Sequence, residues 1–584
     1  MKVLFVSRHC GYFRNYDSVL RELAARGHHL HLAVEKQESL GAEAAVQALT
    51  RESSLITYGM VPDERVDIWS TVAQRLRLGI DYLRYLEPFY DTAPIRRARA
   101  HDRTPRWLIT LAEPPLIGGP RWQRMIGRLL HRLDSAVPPP AAIVDFLREQ
   151  RPDLLLLTPY VELGSSQLDY LRAARIVGIP CGLAIWSWDH LTTKAYIRDR
   201  PDRVFVWNET QRREAVERHG IPADRVRVTG AQCFDHWFGR VPSRSREELC
   251  NELGLPVNRP IILYVCTATI KGSPPEPPFV EEWLQWVRAS SDPIIRTASV
   301  LIRPYPSRLD QMREIDLSPY GPVAVWGGNP IDNRSRTDYF DSMYHSAAVV
   351  GLNTTAFIDA GIVGREVLAV LVPRFHDNQE GTEHFRYLLQ IGGGLIRVGR
   401  DRESHMTQLG EALRRPVTSE HPHRAFLESF VRPRGLDHAA TPVLADAIEE
   451  LATCAVAASA MTERAQKRRS ALEQVVTVFS RLGGTSKTEW SQQVEGIERW
   501  RRFRAQKVNA TNEKRAQRRQ EKATRLAQEQ QAREARVREK QQLRDAHARE
   551  KERIRRTELR RSAALKRRAR LKSLIKEKLG LAQH

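Results

Sequence analysis

Asn353, Thr354 and Thr355 stand together between an apolar run and a helical pattern, a place where a chain readily holds a phosphate. Residues 347–352 are small and β-branched, as a buried strand requires. Residues 356–363 read as a helix that Gly364 stops, and residues 367–372 as the next strand, closed by Pro373. A helix opening on Asn-Thr-Thr turns free backbone N–H groups and hydroxyls outward. Asp359, one turn further in, is placed for a ribose hydroxyl. An N-capped βαβ unit that binds nothing has the same pattern, so the other polar clusters weigh in the reading.

His9, Gly11 and Arg14 lie in a turn-rich loop after a first strand at residues 2–7. Glycine lets backbone approach a ligand, and a guanidinium offers phosphate two parallel donors. His9 titrates near neutrality and can take a proton from a hydroxyl; Asp17 is a rival base and equally a helix N-cap. Trp188 and Asp189 end another strand, with Lys194 close behind, a set suited to an acceptor. There Asp189 serves as base or holds hydroxyls. Gly230 frees a turn after a later strand. Thr267 and Thr269 follow the strand at 261–266 and suit a donor phosphate. Arg303 closes a further strand with a fixed cation. Asp377, Glu380, Thr382 and His384 share the loop after 367–372. His376, Glu380, Glu383 and His384 lack HExxH spacing, so no metal site is expected. The chain has no Walker A loop, and no GxGxxG follows the first strand. No cofactor is expected beyond a nucleotide-activated substrate.

The elements that must carry these residues read as α/β. A strand-loop-helix-strand opening covers residues 2–34, with the helix at 17–26. Further strands are predicted at 154–158, 181–185, 204–207 and 226–229, with helices at 168–177 and 209–219. Residues 67–148 are helical in pattern, dense in Arg and broken by Pro, and read as an insertion in the first domain. A second α/β domain follows, its strands at 261–266, 300–304, 323–325, 347–352, 367–372 and 395–398, with helices at 402–414 and 442–452 packing back to close the structure. The expected division is 1–240, 241–452, connecting helices over 453–490, and a charged tail over 491–584. Two such domains face a cleft, and ligands of open parallel sheets bind outside the carboxyl ends of the strands.

At 584 residues the chain exceeds one core. Its six cysteines show no CxxC and no paired spacing, which points to a reducing compartment. The start is not expected to be a signal peptide, and no apolar window is long enough to span a bilayer. A cytoplasmic protein, peripheral to the inner face of a membrane, is the expectation. Of the formal net charge of +22, residues 491–584 carry +18, from 30 Lys and Arg against 12 Asp and Glu. The body is nearly neutral, as a small-molecule enzyme is.

Residues 204–235, VFVWNETQRREAVERHGIPADRVRVTGAQCFD, set a strand and polar turn before a helix ending His-Gly-Ile, then a strand ending Val-Thr-Gly and a Phe-Asp pair. With PDLLLLTPYVELGSSQLDYLRAARIVGIP and IWSWDHLTTK upstream, this resembles glycosyltransferases of the GT-B fold. The nearest branch is that of the CDP-glycerol glycerophosphotransferases and UDP-N-acetylglucosamine 2-epimerases. The resemblance spans residues 1–451 and implies two Rossmann-like domains. It implies a bacterial enzyme, independent of metal, that moves a group from a nucleotide-activated donor to a glycan or lipid-linked acceptor in surface polysaccharide or glycoconjugate synthesis. Two positions depart from it: Arg303 stands in Arg-Pro-Tyr-Pro where the branch shows His-Pro, and Asp359 where a Glu is usual. An epimerase in the same cleft is the alternative within the family. A scaffold acting through the tail is the alternative outside it.

The tail has no Gly or Pro between residues 497 and 579 and is rich in helix formers. Glu521–Arg525, Glu529–Arg533, Glu534–Arg538, Asp545–Arg549 and Glu552–Arg556 are spaced as helical ion pairs. Leu526, Val537, Ala548 and Leu559 recur every eleven residues, and Leu543, Ile554 and Leu565 form a second row. These rows predict a long, solvated helix, a weak coiled coil at most. Its charge suits anionic lipid, nucleic acid or an acidic polymer.

Overall fold

The computed structural model describes residues 1–37, 42–62, 65, 67, 69–91, 94–114, 119–268, 273–330, 333–415, 421–453 and 551–575. The first sheet consists of β1 (Lys2–Ser7), β2 (His29–Val34), β3 (Ile56–Met60), β4 (Leu154–Thr158), β5 (Cys181–Ala184), β6 (Arg203–Val206) and β7 (Val226–Val228), in the order β3-β2-β1-β4-β5-β6-β7. The second holds β8 (Ile261–Val265), β9 (Ser299–Arg303), β10 (Val323–Val325), β11 (Ala348–Gly351), β12 (Glu366–Val370) and β13 (Arg397–Gly399), in the order β10-β9-β8-β11-β12-β13. Every pairing in both sheets is parallel. Central strands such as β4 (LLLLT) and β8 (IILYV) are buried along their whole length because helices cover both faces. The strand order reverses at β1/β4 and at β8/β11, where parallel sheets bind ligands. The two Rossmann-like domains expected from the sequence are thus present.

The helices that matter for the site are α1 (Asp17–Ala25), α2 (Trp69–Arg84), α3 (Pro94–Arg103), α4 (Arg106–Ala112), α5 (Pro120–Ala136), α6 (Leu168–Val177), α7 (Glu209–His219), α8 (Asn333–Tyr344), α9 (Ala356–Ile362), α10 (Glu383–Gln390) and α11 (Ala440–Ala452). Helices α2 to α5 form the insertion. Buried charge ties it to the first domain: Arg77 donates to Asp134 at 3.2 Å and to Asp169 at 2.5 Å, and Arg172 to Asp134 at 2.8 Å and Asp199 at 2.9 Å. Asp81 pairs with Arg198. Each carboxylate of this network meets at least one guanidinium, the condition under which buried ions are tolerated.

Two findings differ from the sequence reading. Strand β3 was not expected. It is an edge strand, buried only at Ile56 and with a glycine at its fourth position, so it lacks the apolar run of its neighbours. Helix α11, expected to end the second domain, completes the first: Leu444, Ile448 and Leu451 share a core with Phe5, Leu20 and Leu156. The chain therefore crosses between the domains once more than the 241–452 boundary implies.

A second unit of the chain begins at Thr477. Residues 551–575 are a single helix exposed along its length, and Arg556 Nε donates to Glu552 at 3.2 Å, the expected i, i+4 pair. Ile554, Leu559 and Leu565 of the two expected rows all face solvent. The other tail pairs lie outside the described residues, as do residues 454–490. Among the described residues no helix is long and apolar enough to cross a membrane. Cys181, Cys233, Cys250 and Cys266 form no disulfide among the described residues.

Candidate functional site

At the switch point of the second domain, Thr267 follows β8 and Asn353 follows β11. The Thr267 hydroxyl donates to the Asn353 carbonyl, and the Thr267 N–H to Glu276 at 2.7 Å. Asn353 is buried. Its Nδ2 donates to the Asn378 carbonyl at 2.5 Å and lies 3.3 Å from His384 Nε2, while its Oδ1 has no partner. Thr354 Oγ1 accepts from the Ala356 N–H at 3.4 Å. Thr355 Oγ1 accepts from the Trp188 indole at 3.2 Å. One hydroxyl thus accepts from the first turn of α9, and the other from the opposite domain.

Asp359, in the first turn of α9, accepts from the Tyr339 hydroxyl of α8 at 2.8 Å. Burial pushes its carboxyl up to about 7, against that hydrogen bond. Arg303, at the end of β9, lays its guanidinium 4.6 Å from the centre of the Tyr339 ring. Its Nη2 donates to the Gly328 carbonyl at 3.2 Å, and its Nη1 has no partner. No carboxylate among the described residues pairs with it, and burial lowers its pKa. Arg303, Tyr339 and Asp359 thus form one connected group beside the Asn353 turn.

On the first domain, the loop after β1 is a 3-10 turn, Cys10–Tyr16, that His9 caps. His9 Nδ1 accepts from the Gly11 N–H at 3.2 Å, and its ring lies 4.4 Å from that of Tyr12. As a base His9 has to release that cap. Arg14 is exposed. Asp189 follows β5 and accepts from Ser187 Oγ at 2.6 Å and Thr193 Oγ1 at 2.8 Å. Burial by itself raises its pKa. Lys194, His384, the Ser187 hydroxyl and Arg96 outweigh that and hold the carboxyl well below the usual carboxylate range. It is a fixed anion and a weak proton acceptor.

The domains meet at Trp188. Besides its bond to Thr355, its ring stands edge-on to His384 at 4.9 Å. Burial lowers the His384 pKa to about 4, with Asp189 opposing, so the imidazole is neutral. With Asn353 donating to Nε2, the ring proton sits on Nδ1, which has no partner. On the same face of α10, the Tyr387 hydroxyl donates to Glu214 Oε1 of α7, while Glu214 Oε2 is unpartnered. Burial raises Glu214 to about 8. The structure therefore brings together Trp188, Asp189, Lys194, Thr267, Asn353, Thr355 and His384, and beside them Arg303 and Asp359.

Other expected residues fall outside this group. Gly230 has φ +86°, and a Cβ there would lie 2.7 Å from that of Ala440 and 3.3 Å from the Val431 carbonyl. Its backbone faces the crossing into α11 rather than a ligand. Glu380 faces Arg400 at 3.9 Å near the surface. Thr269 lies outside the described residues. Sequence reasoning missed Arg96, Glu214, Tyr339 and Tyr387. Each sits in a helix whose pattern shows only amphipathicity, and its partner comes from a distant segment.

No protein-family model matches the chain, and no curated protein matches it. Among solved structures, the chain is similar to a glycosyltransferase from Rickettsia africae ESF-5, at 9% identity over 77% of this chain and 98% of that one, with a TM-score of 0.45. It is similar to a UDP-GlcNAc 2-epimerase from Methanocaldococcus jannaschii at 9% identity over 77% and 100% of the two chains, TM-score 0.44. A UDP-GlcNAc 2-epimerase from Neisseria meningitidis, bound to UDP-GlcNAc, aligns at 13% identity over 77% and 100%, TM-score 0.41.

Proposed function

We propose that the chain is a GT-B transferase that moves a glycosyl or glycerophosphoryl group from a nucleotide-activated donor, held by the second domain, to an acceptor hydroxyl presented by the first. One observation carries the reading. Arg303 Nη1, Asn353 Oδ1, His384 Nδ1 and Glu214 Oε2 are buried and unpartnered; Arg303 ends β9, Asn353 follows β11, and His384 and Glu214 lie on helices α10 and α7. A buried polar atom without a partner costs about 1–3 kcal/mol. Gathered where parallel sheets bind ligands, these atoms are the signature of a polar small-molecule site.

In this reading Arg303, with no carboxylate partner among the described residues, holds the donor diphosphate and offsets charge on the leaving group. That fixed cation does the work a metal ion would otherwise do. The Asn353 amide and the His384 N–H meet phosphate or sugar oxygens, and Asp359 with Tyr339 flanks the ribose. Asp189 fixes Lys194 and Arg96, and these with Trp188 hold a glycan or lipid-linked acceptor. The acceptor proton passes to His9 once it releases Gly11, while Asp189, a weak proton acceptor, holds the acceptor hydroxyl. Synthesis of a bacterial surface polysaccharide or glycoconjugate is the role that fits.

A second reading, epimerisation of a sugar nucleotide in the same cleft, is favoured by one observation. Asp189, beside His384, and Glu214, bound to Tyr387 on the same helix as His384, have opposite protonation states at neutral pH, a pairing suited to moving protons at one carbon. Product analysis separates the two, since an epimerase converts the nucleotide sugar with no acceptor present. Uniform indifference of the melting temperature to UDP, GDP, CDP, ADP and TDP sinks both.

A further inference from the structure

Half-exposed apolar side chains are scattered singly over most of the body, at Met60, Ile176 and Val241 for example. Three others are not scattered: Trp107 at 53%, Met125 at 50% and Leu129 at 47% all belong to the insertion, on α4 and α5. Leu108 and Leu130 both close on Gly79 of α2, where a Cβ would lie 3.0 Å and 3.1 Å from them. The Trp122 indole donates to the Leu111 carbonyl at 2.7 Å. As α4 runs from 108 to 111, its neighbour runs from 130 back to 122, so the two helices are antiparallel.

At about 100° per residue, with buried Ile126 at zero, Trp122, Leu129 and Met125 fall near 320°, 300° and 260° on α5. With buried Leu108 at zero, Leu111 and Trp107 fall near 300° and 260° on α4. In an antiparallel pair, equal angles face each other. Trp107, Met125 and Leu129 therefore line a single seam. Its rim is basic. Arg106, Arg121, Arg124, Arg128 and Arg132 are exposed, and none makes an ion pair among the described residues. The one acid of α5, Asp134, is buried against Arg77 and Arg172.

We propose that the α4–α5 seam is a docking face for a bilayer with anionic headgroups. Trp107, Met125 and Leu129 enter the interface, and the arginines keep their stems on it while their guanidinium groups hold lipid phosphates. Contiguous apolar side chains ringed by one sign of charge fit that occupant better than a second neutral body. The insertion also reaches the cleft, through Arg96 Nη1 of α3 on the Thr193 carbonyl at 3.3 Å. Docking would thus place the acceptor half of the cleft beside the membrane. The proposal stands whether the reaction is transfer or epimerisation.

The test uses the full chain and vesicles of phosphatidylcholine, with or without phosphatidylglycerol. Flotation is expected with the anionic vesicles only, and Met125→Asp/Leu129→Asp weakens it about ten-fold or more. Lipids brominated near the headgroup quench part of the tryptophan emission, and Trp107→Phe removes most of that quenching. The replaced side chains are half in solvent, so circular dichroism and melting remain as in the parent. Binding that the double variant leaves unchanged, and that salt abolishes, assigns the membrane to the C-terminal tail and overturns the proposal. So does equal binding to neutral vesicles, failure to bind either kind, or a dimer that the double variant dissolves.

Discussion

Replacing Arg303 by Met separates a ligand-holding cation from a structural one. Arg303 and Arg77 are equally buried, at 4% and 3% exposure. Arg77 faces two carboxylates, Asp134 at 3.2 Å and Asp169 at 2.5 Å. Arg303 faces an aromatic ring and one carbonyl. Removing it forfeits a cation–π contact of about 1–2 kcal/mol and a charge-assisted hydrogen bond of about 1.5–3. It also relieves an unpartnered N–H, about 1–3 kcal/mol, and the cost of holding an unpaired ion out of water, which is of similar size or larger. The terms nearly cancel, so Arg303→Met changes stability by about 1 kcal/mol or less. Arg77→Met strands Asp169 and costs about 3–5 kcal/mol. Binding moves the other way: losing one or two charge-assisted bonds to a diphosphate weakens affinity about 10- to 100-fold or more. Urea midpoints of the two variants and calorimetric titration with nucleoside diphosphates read both effects. If Arg303→Met unfolds as early as Arg77→Met, or binds a diphosphate as the parent does, Arg303 is structural and the donor site is misplaced.

Three further outcomes follow from the cleft. Glu214 rises from 4.5 to about 8 on folding. The folded chain then holds a proton that the unfolded chain releases, and stability falls as pH rises from 4.5 to 8, by at most about 5 kcal/mol. Glu214→Gln flattens that slope in urea midpoints taken across the range; an unchanged slope places the titration elsewhere. Asp359, at about 7, becomes an anion beside the diphosphate site as pH rises, so diphosphate affinity drops through neutrality, and Asp359→Asn makes it level between pH 6 and 8 in titration calorimetry. Gly230→Ala meets both a positive φ and the Ala440 methyl. It lowers stability by about 2 kcal/mol and speeds proteolysis at the crossing into α11, whereas parent-like cleavage rates rule out the close packing there.

What was legible in the chain is what local pattern encodes. Strands such as residues 2–7 and 154–158 are apolar runs because they are buried on both faces, and the helices at 168–177 and 209–219 end where Gly178 and Gly220 take positive φ. The turn at Asn353 was found because a polar triplet between a strand and a helix is a local signal. Edge strand β3 was missed because half its face is solvated, and the placement of α11 because its partners lie more than 400 residues away, as in Thr441 Oγ1 to Ser18 at 2.8 Å. Residue type also misled on roles. Glycine at 230 reads as room for a ligand until Ala440 fills that room, and His9 reads as a base until Gly11 takes its Nδ1.

The buried arginines show why the site was only half readable. Arg77, Arg84, Arg172, Arg198 and Arg303 are one residue type at nearly one depth. The first four spend their charge on carboxylates, or on the carbonyls of Leu191 and Ala195 in the case of Arg84. Only the fifth keeps a buried N–H unspent beside a strand end at the cleft, since Arg198, the other of the five with unpartnered nitrogens, already neutralises Asp81. The difference lies wholly in partners brought from elsewhere in the chain. The same holds across the domains. Trp188 of the first domain takes the Thr355 hydroxyl and stands against His384, so the acceptor loop and the donor turn share one side chain. A change on either side of that indole is felt on the other, and Thr355→Val, which nearly keeps the side chain's shape and removes the accepting hydroxyl, is the substitution that isolates the hydrogen bond between them.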